Sequence, residues 1–91
     1  MRILIISPID PTAVARLRER HDVVCAYNAD AATLRAAIVD RDAVILRSGV
    51  KLDAAAMSAA PDLRLVVRAG SGTDNIDLDH LAARRIALVR V

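Results

Sequence analysis

Five short aliphatic runs punctuate the chain, and each of the first four is followed by a polar turn and then by apolar residues at helical spacing. Residues 2–6, RILII, are almost continuously apolar, as a strand buried on both faces would be. Asp10 and Pro11 follow as N-cap and first-turn residue, and predict a helix over about 11–20. Within it Val14, Leu17 and Arg18 fall at helical spacing, with Arg16 and Arg20 toward water. DVVCAY, 22–27, reads as a second strand, and Asp30 opens a helix whose Leu34, Ala37 and Ile38 make one stripe. DAVILR, 42–47, is the third strand. Asp53 caps a short alanine-rich helix that must end before Pro61. LRLVVR, 63–68, is the fourth strand, Asn75 or Asp77 begins a helix with Leu78, Leu81 and Ala82 on one face, and IALVRV, 86–91, is the fifth.

Strands alternating with helices imply right-handed crossovers and a parallel sheet. The expected fold is α/β and flavodoxin-like, a five-stranded parallel sheet of order 2-1-3-4-5 with helices on both faces, in preference to a Rossmann half-domain. Ligands of such sheets bind at the carboxyl ends of the strands. Three loops meet there, 7–10, 47–50 and 68–75, and Arg47 and Arg68 end neighbouring strands on one rim.

Composition narrows the function. The chain has 91 residues, one domain's worth or less, and 55% hydrophobic content argues for a folded core. Tyr27 is the only aromatic residue, which speaks against proteins that stack bases on rings, and the net charge of +2 comes with no basic run longer than Arg84-Arg85. That pair reads as a solvated helix end, so no nucleic-acid partner is expected. The single Cys25 lies among Val23, Val24 and Ala26, giving no disulfide framework and no zinc spacing, and reads as a structural thiol. RILII is too short for a signal segment or membrane span, so the expected location is the cytoplasm, with no membrane partner.

The chemistry concentrates in LRLVVRAGSGTDNIDLDHL, 63–81. A dinucleotide fingerprint needs three glycines and an acid about 20 residues on. Here Gly70 and Gly72 fit, the third position is Asn75, and the acid would lie beyond Val91. A Walker A loop is excluded, because no Gly-Lys-Ser/Thr follows. A phosphoacceptor receiver domain fails as well, since the third strand ends in Arg47 rather than Asp. The remaining chemistry is anion binding. Glycine peptide N–H groups approach a ligand closely, a helix amino end follows, and Arg47 and Arg68 add planar two-pronged donors. The alternative is a tight turn whose arginines pair with Asp74 or Asp77. His21 falls at the opposite end of the sheet, and His80 on the fourth helix reads as a surface histidine.

VVRAGSGTDNIDLDHLAARRI, with AVILRSGVKLDAAAMSAAPDLRLVV before it, resembles the amino-terminal half of the substrate domain in the D-isomer-specific 2-hydroxyacid dehydrogenases, and is most similar to the branch acting on 3-phosphoglycerate. The resemblance implies NAD-dependent oxidation of a D-2-hydroxy acid to a 2-oxo acid, in that branch on the way to serine. It also implies a cleft between two domains. By position, Arg47, Ser48 and Gly49 match a substrate-holding loop. Arg68 matches an arginine near the anionic end of the substrate. Ser71 and Gly72 match backbone donors to its carboxylate, and Ser71 also the nicotinamide side of the cleft. The family's nucleotide-binding domain and its catalytic Arg, Glu and His lie downstream of this stretch. Residues 1–91 are therefore expected to be a single substrate-domain piece, with no catalytic residue and no metal site of its own, not binding NAD alone. Its expected partners are a small anionic 2-hydroxy or 2-oxo acid, and either a nucleotide-binding domain or a second copy paired through the fifth strand. A stand-alone small-anion module and half of a split enzyme are the other readings.

Overall fold

The computed structural model describes residues 1–47, 49–70 and 75–91. Five strands alternate with four helices: β1 (Arg2–Ile5), α1 (Pro11–Arg18), β2 (Asp22–Cys25), α2 (Ala31–Ile38), β3 (Ala43–Leu46), α3 (Ala54–Ser58), β4 (Leu65–Arg68), α4 (Leu78–Arg84) and β5 (Ala87–Arg90). All strand pairs are parallel and the order is β2-β1-β3-β4-β5, as the alternation predicts.

Each helix starts where its aspartate stands. Asp10, Asp30, Asp53 and Asp77 accept the backbone N–H of Thr12, Thr33, Ala56 and His80, at 3.1, 2.8, 2.9 and 3.0 Å. These bonds satisfy amides that the first helical turn leaves without a partner. Of the two candidates for the start of α4, Asp77 is the cap. Helix α1 ends at Arg18, earlier than the apolar spacing suggests, because Arg20 N–H turns back to the Leu17 carbonyl. In α4 only Leu81 of the expected stripe is buried, at 3% exposure, whereas Leu78 is 40% exposed and Ala82 is exposed. Ile86, just past the left-handed Arg85 that ends the helix, supplies the next core contact.

The helices divide unequally between the faces. Leu34 and Ile38 of α2, Ala56 and Met57 of α3 and Leu81 of α4 pack on Leu4, Val44, Leu46 and Val66 in one cluster. Val14 and Leu17 of α1 pack on Ile3, Ile5, Ala43 and Ile45 in the other. That follows from right-handed crossovers, since only the β1-to-β2 step runs leftward. The half of the α1 face made by β4 and β5 has no helix above it among the described residues. Leu65 and Val67 are half-buried there, and Val89, level with Val67, is 45% exposed.

Candidate anion rim at the carboxyl end of the sheet

Strands β3 and β4 run side by side, with Leu46 level with Arg68, so the two arginines do end neighbouring strands. They differ in disposition. Arg47 is exposed, one residue past β3. Arg68 is only 6% exposed, and its Nη1 donates back to the Ala69 carbonyl at 2.8 Å. Its Nε is buried with no hydrogen-bond partner among the described residues. The guanidinium lies under the turn that follows. A Cβ on Gly70 would stand 2.6 Å from Arg68 Nη1, so the end of the arginine side chain would have to shift to admit one. Gly70 also has φ +135° and Gly49 φ +97°, conformations that L side chains rarely adopt.

The Gly70 amide, expected to face a ligand, is already engaged. It donates to the Val91 carbonyl at 3.0 Å, while Val91 N–H donates to Arg68 O at 2.9 Å. The β4–β5 ladder thus continues into the turn and consumes that donor. Neither Arg47 nor Arg68 forms an ion pair with a described residue, and the Asp77 carboxylate is occupied at its helix cap. Ser48, Ser71, Gly72 and Asp74 lie outside the described residues.

Sequence reasoning missed Asn75. Its Nδ2 donates to the carbonyls of Arg47 at 2.9 Å and Val50 at 2.7 Å. Beside it, Leu52 N–H donates to Asn75 O at 2.7 Å, Asp77 N–H to Leu52 O at 3.1 Å, and Leu52 bridges to Ile76. One side-chain amide therefore ties the loop after β3 to the loop after β4. The only signal in the sequence is an amide-bearing residue inside a loop of glycines and acids. Its two-donor NH2 group suits two carbonyls, but the carbonyls themselves cannot be read from the sequence. Arg84 was also misread. Instead of a solvated helix end, its guanidinium donates to the carbonyls of Met57, Ala60 and Pro61 at 2.5, 2.7 and 3.4 Å and closes the carboxyl end of α3.

Among the described residues the strongest carboxylate perturbation is far from this rim. At the amino end of the sheet the Arg2 side chain and backbone N–H hydrogen-bond Asp42, holding its carboxyl down at about 2 against an ordinary 3.8. The same pairing raises the Arg2 guanidinium. His21, at that end too, has Nδ1 3.1 Å from the amino-terminal nitrogen. His80 is half-buried rather than a surface group, and its Nε2 is enclosed without a partner among the described residues. No group of three metal-ligating side chains occurs among the described residues.

A parallel sheet of this order, with Arg47 and Arg68 at the carboxyl ends of neighbouring strands, defines a doubly wound α/β domain of the class whose ligands bind at that end of the sheet. The chain belongs to the D-isomer specific 2-hydroxyacid dehydrogenases: that family's catalytic domain matches residues 3–91. D-3-phosphoglycerate dehydrogenase of Mycobacterium tuberculosis is 38% identical over 87 residues, covering 96% of this chain and 16% of that protein. The chloroplastic D-3-phosphoglycerate dehydrogenase 2 of Arabidopsis thaliana is 40% identical over 78 residues, covering 85% of this chain and 12% of that protein. The solved 3-phosphoglycerate dehydrogenase of Entamoeba histolytica with NAD+ bound superposes with a TM-score of 0.86 at 32% identity, over 99% of this chain and 32% of that one. The chain thus spans about one sixth of the M. tuberculosis relative and about one third of the Entamoeba structure.

Proposed function

We propose that this chain is the substrate-holding part of an NAD-dependent D-2-hydroxyacid dehydrogenase, of the kind that oxidises 3-phosphoglycerate. The observation that carries this reading is the rim. An exposed Arg47 and a buried Arg68, whose Nε has no partner among the described residues, end adjacent strands beneath two loops that Asn75 holds together. In the proposal Arg47, Ser48 and Gly49 hold the anionic substrate from one side, and Ser71 and Gly72 offer it backbone donors from the other. Arg68 adds positive charge from below, where low dielectric strengthens it.

NAD supplies the hydride acceptor in such a reaction. The described part of this chain does not fit its pyrophosphate, because the Gly70 amide that would face it is bonded to Val91. The cofactor's binding surface is therefore assigned to a second domain, closing on this rim from above. A cytoplasmic location belongs to the same proposal; no described helix is long and apolar enough to cross a membrane.

The test is a titration of the purified chain with 3-phosphoglycerate, followed by NMR. Saturable binding on the order of millimolar is expected from half a cleft open to water. Arg47→Ala should weaken it several-fold, whereas Arg16→Ala, on the exposed side of α1, should not. Equal losses from both substitutions would reduce the effect to general charge attraction and overturn the assignment. The chain alone should form no NADH from 3-phosphoglycerate and NAD+. Steady NADH formation would show that the catalytic and cofactor groups are not confined to another domain.

A further inference from the structure

Arg68 is a buried cation with no counter-charge among the described residues. Only 6% of it is exposed, and no described carboxylate lies within ion-pair distance. Its Nη1 donates at 2.8 Å to a neutral acceptor, the carbonyl of Ala69 in its own turn, and its Nε has no partner among the described residues. A buried charge held this way is poorly compensated. On the other side Arg68 stands level with Arg90 of β5, so the two side chains leave the sheet on the same face. Arg90 forms no ion pair with a described residue either, and like charges side by side on neighbouring strands repel.

The position of the guanidinium depends on Gly70. A Cβ there would stand 2.6 Å from Nη1, 3.4 Å from Cζ and 3.6 Å from Nη2. The flat group thus lies in the space where any other residue would carry its side chain. The backbone on both sides of it is fixed, since Gly70 N–H donates to Val91 O at 3.0 Å and Val91 N–H to Arg68 O at 2.9 Å. The side chain is held far less firmly than the backbone that carries it. Rotation about its own torsions is enough to move the charge, with no rearrangement of the sheet.

We propose that Arg68 is a retracted anion clamp. In the empty rim its guanidinium is stored beneath the Ala69–Gly70 turn. An oxyanion arriving beside Arg47 draws it out, because two charged acceptors replace one neutral carbonyl and match the planar donor fork. The inference rests on the anion-rim reading and adds a switch to it. Storage lowers the apparent affinity by the fraction of molecules in which the arginine is withdrawn, and the slot left by Gly70 sets that fraction.

The test is an NMR titration of the chain with inorganic phosphate and, separately, 3-phosphoglycerate, at ionic strength held constant with sodium chloride. In the free chain an NOE is expected between Gly70 Hα and the Arg68 side chain. At saturation with phosphate it should be lost, while the Arg68 Nε–Hε signal, assigned by its absence in Arg68→Lys, moves with the same midpoint as the Arg47 amide. Gly70→Ala, shown by its spectrum to be folded, should bind phosphate several-fold more tightly, because its Cβ fills the storage slot. If that variant does not fold, the NOE decides. An NOE absent from the free chain, or one that persists at saturation while Arg47 and Gly49 shift, would overturn the clamp and leave the substrate reading standing. A folded Gly70→Ala that binds phosphate more weakly would overturn the clamp as well. Release of Arg68 by phosphate without any binding of 3-phosphoglycerate would uphold the clamp and overturn the substrate reading. No saturable shift at Arg47 or Arg68 with either anion would overturn both.

Discussion

Gly70 carries two constraints at one position. Its backbone sits at φ +135°, and its missing Cβ leaves room for the Arg68 guanidinium. Gly70→Ala is therefore expected to cost about 1–3 kcal/mol in urea unfolding, the range for a strained backbone position. Adding Arg68→Ala should restore only the part due to the collision, and full restoration would show that φ contributes nothing. Asn75 is the other residue on which the rim rests. Asn75→Asp replaces two donors with two acceptors facing the Arg47 and Val50 carbonyls. An expected loss of about 1–3 kcal/mol follows from leaving those carbonyls unpaired. Weaker anion binding at the rim should accompany it. Arg68 was legible as a strand-ending arginine, but its burial was not, because a side chain that folds back onto its own turn leaves no trace in spacing.

At the scale of elements, the helix starts were the most legible feature, since an aspartate ahead of an apolar stripe states both the cap and the phase. Helix ends were less so. The carboxyl end of α3 is closed by Arg84 from α4, 27 residues from Met57 in sequence. No local pattern encodes a partner at that distance. Arg84→Ala should cost about 1.5–3 kcal/mol, the value of charge-assisted hydrogen bonds, and should speed amide exchange in α3 more than in α2. The strand starts carry a pH dependence. Asp42, just before β3, has its carboxyl lowered to about 2 from 3.8 by Arg2 of β1. A carboxyl lowered by folding stabilises when ionised, so its contribution is complete above 3.8 and fades as pH falls toward 2. Asp42→Asn should flatten acid unfolding over that window and leave the slope near neutrality unchanged, as a pH series of urea midpoints would read.

For the whole molecule, the alternation of strands and helices was enough to set strand order and to put α1 alone on its face, because crossover handedness leaves little choice. What it did not reveal is how bare the far half of that face is. Val89 is 45% exposed on an edge strand whose outward backbone groups have no neighbour among the described residues, and Val91, just past that strand, is 81% exposed. Such an edge pairs readily with another chain, and here Arg90 is the only charge on it. The 91-residue chain is expected to self-associate in the micromolar-to-millimolar range in sedimentation runs across concentration. Val89→Lys should shift it toward monomer. A chain that stays monomeric at high concentration without the substitution would rule out the edge as an association surface.

The hydrogen bonds between Val91 and the Arg68–Gly70 turn place the residue just past the fifth strand beside Gly70, with 3.0 Å from the Gly70 amide nitrogen to the Val91 carbonyl. A fluorophore or spin label carried at position 91 would therefore begin at the mouth of the rim itself. It would sense the electric field of an arriving anion directly, giving a readout of occupancy that needs no turnover, no cofactor and no change of shape elsewhere in the protein.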